Sequence, residues 1–477
     1  MIDLSNATFI IPVRIDSMDR AFNFQYVVNY LCRNLKTNIK ILESGPNKIA
    51  EDLLKAINPI YCKIDYWYQQ DDGGPFHRTR LLNEMLVECE TDVVVNYDCD
   101  ILLKPETYLV AYNEILSGAD LCYPYFLGDS QIMVTRPGMQ DDLTVSAPIR
   151  HEIRNSDCGH CQFFKRSSYL AGGMESEYFV SYGPEDYERK NRFIKLGYNV
   201  KWLDGHFVYH LEHVRGADSS KENPHFEKNE KLYQKLCSYN KQELLDYYKD
   251  AEYLKKYKKK IITLITYADE KYEERRQKLV QRCFELGAVD KSIEWDRETI
   301  EKTEFFKINL QIFKAEIGAG YWIWKPYIIL NALQKLEDNE ILIYMDSGDM
   351  ITANFRKFLN RKLRHEDMLL LEGSFRHGDW THKECFIGME CDTPEYHDAI
   401  QLEAGVCVFK KSKRSLRVLA EWLEAVQWQP ILIDSLGAQR DGFKEHRHDQ
   451  SILTNIKIKL KLPSSSELRQ FITCNYH

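Results

Sequence analysis

The chain has 477 residues, of which 44% are hydrophobic and 29% charged, with a formal net charge of −8. That length exceeds what one hydrophobic core organises, so two domains are expected. The acidic balance excludes an extended nucleic-acid surface, and no apolar run approaches the roughly 18 residues of a membrane span.

The opening "MIDLSNATFIIPVRID" has no basic leader and runs directly into an apolar strand from Ala7, which argues against a signal peptide. A second strand is predicted from Thr37 to Glu43. The segment from His77, "HRTRLLNEMLVECE", places apolar residues at helical spacing and leads into "TDVVVNYDCD". Alternating strands and helices predict an α/β fold with a mostly parallel, doubly wound sheet. The strand before Asp98 stops at Asp98-Cys99-Asp100. Such a corner puts carboxylates at the C-terminal edge of a sheet, where open α/β folds bind ligands. Two carboxylates one residue apart suit a divalent cation, Mn²⁺ or Mg²⁺, which in turn holds a diphosphate.

The 13 cysteines are an odd number and scattered, which fits reduced thiols and a cytoplasmic protein. Cys158 and Cys161 form one Cys-x-x-Cys. With no second ligand pair at zinc spacing, two buried thiols are the plainer reading.

From Ser219 to Lys260 the composition turns to Lys, Glu and Tyr, predicting helices that close one domain and lead to the next. Its "KKYKKK" end is a candidate for peripheral contact with anionic lipid on the inner face of a membrane. A solvated helix end is the simpler alternative. At Lys260 the pattern restarts. "KIITLITYADE" mirrors the first strand, and "NEILIYMDSGD" ends at a second acidic corner, Asp346 and Asp349. Residues 261–350 thus repeat the order of residues 7–100, and the expected domains are 1–250 and 251–477.

The first half resembles a GT-A glycosyltransferase of the inverting β-1,4-galactosyltransferase and chondroitin-polymerase type found in capsule biosynthesis. "FIIPVR" resembles that family's opening strand, which implies that Pro12, Val13 and Arg14 line a uridine pocket. "FHRTRLLN" resembles its Phe-Asn-Arg-Ala-x-Leu-Leu-Asn helix, and "YDCD" stands at its Asp-x-Asp. "SYGPEDYE" stands at its Trp-Gly-Gly-Glu-Asp. The match spans most of residues 7–215. It implies Asp100 as the direct metal ligand, with Asp98 on the ribose or a metal-bound water. Glu43, Arg78, Asn83 and Tyr182 are implied on the donor side. Asp186 is implied as the base that takes the acceptor proton, with Glu185 holding the acceptor. Tyr182 replaces a Trp, and Pro184 replaces a Gly, which stiffens the loop. A third metal ligand is expected from His210 or His213 in "VYHLEH".

The second half resembles capsule and lipopolysaccharide-type bacterial glycosyltransferases of GT-A form, in "GAGYWIWKPYIILNAL", "QLEAGVCVFKKS" and "KEHRHDQSILTN". Lys325 is a candidate phosphate partner, Asp346 and Asp349 form the acidic corner, and Glu403 is a carboxylate near the acceptor. His446, His448 and Asp449 are candidates to complete a metal site or to take the acceptor proton.

Two tandem GT-A domains joined by a helical segment imply a bifunctional glycosyltransferase. Its donors would be nucleotide sugars, with galactose or N-acetylgalactosamine from UDP for the first domain. Its acceptor would be a glycan or a lipid-linked saccharide of a growing surface polysaccharide. The alternative is one active N-terminal transferase with a C-terminal acceptor-binding module. A sugar nucleotidyltransferase would open with a Gly-rich loop after its first strand, and neither half has one.

Overall fold

The larger sheet of each half of the chain repeats one strand order, save for an extra edge strand in the first. The computed structural model describes residues 1–134, 152–214, 216, 220–258, 260–435 and 437–474. It divides into two units, Met1–Lys258 and Lys259–His477.

The first unit contains β1 (Ile2–Val13), β2 (Leu35–Gly45), β3 (Lys63–Gln70), β4 (Val93–Tyr97), β5 (Ile101–Leu102) and β6 (Leu121–Tyr123). It continues with β7 (Gly128–Val134), β8 (Glu152–Ser156), β9 (Cys161–Lys165), β10 (Val200–Trp202) and β11 (Val208–Leu211). Seven of these form one sheet in the order β10-β6-β9-β4-β1-β2-β3. Residues 7–13 of β1 and all of β4 are buried. That is why both read as continuous apolar runs rather than alternating ones. β1 already starts at Ile2, ahead of the expected Ala7.

The second unit contains β12 (Ile262–Tyr267), β13 (Lys291–Trp295), β14 (Ile341–Met345) and β15 (Asp349–Ile351). It closes with β16 (Met368–Arg376), β17 (Ile400–Lys410), β18 (Ser464–Ser465) and β19 (Ile472–Cys474). Its sheet order is β13-β12-β14-β17-β16-β18.

Setting β3 aside, the two orders superimpose. β4 and β14 each run parallel to the first strand of their unit. β9 and β17 each lie antiparallel beside them. β6 and β16 follow, antiparallel to β9 and β17 and parallel to β10 and β18. The short strand after each acidic corner also matches: β5 pairs antiparallel with β11, and β15 with β19. Each sheet is mostly parallel, as expected, with one antiparallel insertion, β9 in the first and β17 in the second.

Three helices follow the first sheet: Phe226–Ser238, Lys241–Lys249 and Glu252–Lys255. Leu236, Leu244, Tyr248 and Tyr253 bury an apolar face with Phe179. The Tyr248 hydroxyl donates to Glu188 at 2.7 Å and the Tyr253 hydroxyl to the Gly173 carbonyl at 2.7 Å. This segment is thereby part of the first unit. In the basic run, Lys255 pairs with Glu252 and Lys256 with Glu177, while Lys259 lies outside the described residues. No helix among the described residues is long and apolar enough to cross a membrane.

Candidate active sites

In the first unit, four elements bring charged side chains to the C-terminal edge of β4. Arg78 opens the helix Arg78–Leu86, Asp98 and Asp100 follow β4, and Glu185 and Asp186 open the helix Glu185–Leu196. His210 lies in β11, and His213 follows that strand. The Arg78 guanidinium donates to Asp98 at 2.7 and 3.2 Å and faces Asp186 at 3.5 Å.

Asp100, His210 and His213 bring their ligand atoms within 4.8 Å of one another. His213 Nε2 stands 3.1 Å from Asp100, and His210 Nε2 stands 3.8 Å from it. His213 Nδ1 contacts the Val214 carbonyl at 2.9 Å, an outer contact that orients a metal-binding imidazole. One carboxylate and two imidazoles fit Mn²⁺, whereas Mg²⁺ prefers oxygen donors throughout. Burial pushes the Asp100 carboxyl up, but His210 and His213 outweigh it and hold the group well below its usual range.

Glu185 and Asp186 are neighbours held in opposite states. Burial, aided by the Asp186 charge, raises Glu185 to about 8. Its Oε2 is buried without a protein partner among the described residues. Asp186 is also pushed up by burial, yet Arg189 and Arg78 bring it below its usual value. Arg189 is fully buried, donating to Asp186 at 2.6 Å and to both oxygens of Glu175 at 2.9 Å. Two adjacent carboxyls pushed apart in this way can serve as one donor and one base.

The remaining donor-side residues divide. Pro12 and Val13 end β1 beside Leu42 and Glu43 of β2. Arg14 follows them, donating to the Ser44 and Gly74 carbonyls at 3.1 and 2.9 Å and pairing with Asp71 at 2.7 Å. Tyr182 stacks on Phe226 at 6.0 Å. Glu43 and Asn83 have structural duties. The Glu43 carboxylate accepts the Ile49 and Ala50 amides at 3.0 Å and the Tyr66 hydroxyl at 2.6 Å, so it caps the next helix. The fully buried Asn83 amide donates to the Glu175 carbonyl at 2.9 Å and accepts its N–H at 2.8 Å. It clamps the loop that carries Glu175.

The second unit builds a matching edge. Lys325 lies in the first turn of the helix Trp324–Lys335, Asp346 follows β14, and Asp449 is the second residue of the helix His448–Lys459. The buried Lys325 ammonium is 3.4 Å from Asp346, 3.6 Å from Asp449 and 3.2 Å from the Ala404 carbonyl. The Tyr344 hydroxyl donates to Asp346. Burial raises Asp449 to about 7 against the pull of Lys325. Asp349 is buried at the start of β15. Glu403 pairs with Arg469 at 2.5 Å.

His446 and His448 do not join Asp449 in a metal cluster among the described residues. His446 Nε2 contacts the Ile431 carbonyl at 3.1 Å, and its Nδ1 accepts the His382 N–H at 3.4 Å. His448 Nδ1 contacts the Leu432 carbonyl at 2.8 Å. These rings are held by backbone groups, while Asp449 turns to Lys325; the expectation of a shared metal site is corrected accordingly. Trp324 is core, stacked on Tyr267 at 3.9 Å. Trp322 stays partly exposed beside His448 at 5.8 Å.

Sequence reasoning missed Arg189, Glu175 and His160. Cys158 and Cys161 are buried free thiols. His160 between them lies beside His210, ring to ring at 5.8 Å.

No family model and no curated protein matches the chain. One solved structure, GalNAc-T7 with UDP, GalNAc and Mn²⁺, is 10% identical over 46% of this chain and 46% of its own, with a TM-score of 0.32. Another is a Drosophila β-1,4-galactosyltransferase 7 mutant with manganese, UDP-Gal and xylobiose. It is 14% identical over 45% of this chain and 72% of its own, with a TM-score of 0.29. The chain spans less than half the length of the first.

Proposed function

We propose that the chain is a bifunctional, nucleotide-sugar-dependent glycosyltransferase with one GT-A-type site in each unit. The observation that carries the first site is the Asp100–His210–His213 triad set beside Asp98, Arg78 and Asp186 at one sheet edge. A divalent ion held there, Mn²⁺ or less suitably Mg²⁺, supplies Lewis-acid stabilisation for a departing diphosphate.

The chain's residues do the rest. Arg78 orients Asp98 and Asp186 and, with Arg189, holds the Asp186 carboxyl below its usual value. Asp186, as base, takes the acceptor hydroxyl proton while that oxygen bonds to the anomeric carbon of the sugar. The bond from that carbon to the diphosphate oxygen breaks, and its electron pair leaves with the nucleotide. Attack from the face opposite the leaving group inverts the linkage. Glu185, protonated at neutral pH, holds the acceptor as a hydrogen-bond donor. Galactose or N-acetylgalactosamine from UDP is the donor sugar of this reading. The acceptor is a growing polysaccharide or lipid-linked saccharide on the cytoplasmic side of a membrane.

Support for the second site is its repetition of the first. A cation from the helix before the strand, an aspartate at the strand end and an aspartate opening the later helix recur as Lys325, Asp346 and Asp449. A second reading makes this unit an acceptor-binding module. It is favoured by one observation: among the described residues, the His and Asp cluster at metal spacing lies in the first unit alone.

The test is donor consumption with a panel of nucleotide sugars, in Mn²⁺ or EDTA, on wild type, Asp100→Ala and Asp346→Ala. Two donors consumed, each variant losing one, supports two active sites. One donor with a silent Asp346→Ala supports the binding module. No turnover of any donor overturns the transferase reading.

A further inference from the structure

The two units differ at one matched position. Tyr97 pairs with Cys161 in the first unit and Met345 with Val406 in the second. The residue before each partner strand position is His160 in one and Gly405 in the other. Both make the same backbone contact: the Asp98 N–H donates to the His160 carbonyl at 3.1 Å, and the Asp346 N–H to the Gly405 carbonyl at 2.8 Å. At Gly405 a Cβ would lie 3.1 Å from carboxylate oxygens of both Asp346 and Asp349, so the second site has little room for a side chain there. The first site carries an imidazole.

His160 holds that imidazole at a conformational cost. Its φ is +69°, in the left-handed region. A non-glycine residue there is disfavoured, and such outliers gather at functional sites. Glycine would fit this backbone more easily. The ring meets Tyr125 at 6.1 Å and His210 at 5.8 Å, each in edge-type contact. No hydrogen bond to its ring nitrogens occurs among the described residues. The next residue back, Gly159, points its Cβ direction at Asp186 Oδ2, 3.5 Å away. His160 thus flanks the metal triad, and the residue beside it, Gly159, faces the base. In an in-line transfer, the group between a metal-held diphosphate and the base is the sugar itself.

We propose that His160 is a donor-specificity residue of the first site, hydrogen-bonding a hydroxyl or amide of the transferred sugar rather than the nucleotide. Its absence at Gly405 gives the second site a different donor preference. This inference rests on the transferase reading above. It adds a contact that the reading does not require.

The test uses the full chain with Mn²⁺ and three probes by calorimetry: UDP, UDP-galactose and UDP-N-acetylgalactosamine. His160→Gly relieves the backbone, so its unfolding midpoint is expected at or above wild type. UDP and Mn²⁺ affinities stay unchanged. The UDP-sugar that wild type prefers binds about tenfold more weakly, the scale of one lost hydrogen bond. His160→Asn, which tolerates the left-handed backbone and keeps a polar head, recovers part of that loss. A His160→Gly protein that binds the UDP-sugar as tightly as wild type overturns the proposal. So does one that loses UDP affinity to the same extent, since the contact would then lie on the nucleotide. Where wild type binds UDP with Mn²⁺ and His160→Gly gives either of those results, the transferase reading stands. Wild type that binds no UDP overturns both.

Discussion

Lys325 occupies in the second unit the place that Arg78 occupies in the first. Each sits in the first turn of the helix leading to the central strand before the acidic corner. Each bridges the aspartate at that strand's end and an aspartate at the start of a later helix, Asp346 and Asp449 for Lys325, Asp98 and Asp186 for Arg78. A cation shared by two carboxylates lowers their mutual repulsion and fixes both for ligand chemistry.

Removing the ammonium should therefore disable one site only. In Lys325→Met, Asp346 and Asp449 lose the cation they share, Asp346 keeping only the Tyr344 hydroxyl, and transfer by the second unit is expected to fall by about a hundredfold or more. UDP and Mn²⁺ binding by the first unit stays at the wild-type level. Calorimetry and a two-donor assay on the same preparation measure both.

Metal binding should follow the triad. Asp100→Ala, His210→Ala and His213→Ala are each expected to weaken Mn²⁺ binding by on the order of a hundredfold, as losses at ligand shells do. Asp346→Ala leaves that high-affinity Mn²⁺ binding unchanged. Electron paramagnetic resonance of free Mn²⁺ during titration reports this without turnover.

Stability should fall as pH rises through neutrality because of Glu185. Its carboxyl titrates near its ordinary value when unfolded but at about 8 when folded. Between those values the folded state binds the extra proton, so stability is full below the ordinary carboxylate range and declines up to about 8. Glu185→Gln keeps the buried shape without the charge and is expected to flatten that decline. Chemical denaturation at pH values from 4 to 9 compares the two.

Glu43→Ala should act on folding rather than on donor binding. It strips the Ile49 and Ala50 amides and the Tyr66 hydroxyl of their acceptor, a loss of about 1–3 kcal/mol. The unfolding midpoint falls, while the UDP affinity of the folded protein is little changed.

The parts of the sites that were legible in the sequence are those where a charged residue interrupts an apolar pattern. Asp98 and Asp346 end buried runs, and that alone places them at a sheet edge. The architectural repeat was legible as far as the second acidic corner. Its continuation through the antiparallel β9 and β17 was not, because a buried strand reads alike in either direction. The sequence also cannot say which polar atoms the backbone claims. Glu43, Asn83 and His446 look like site residues until their amide and carbonyl partners are seen. His160 was overshadowed by the two cysteines beside it, and its left-handed backbone has no sequence signature.

The claim of two active sites is tested most directly by substituting the two matched aspartates, Asp186→Asn and Asp449→Asn, and following both donors in one assay. Each change removes a carboxylate base while keeping the side chain's size. Wild type should consume two nucleotide sugars, Asp186→Asn losing one and Asp449→Asn the other, with both proteins folded. An Asp449→Asn protein that transfers both sugars at the wild-type rate would contradict the account.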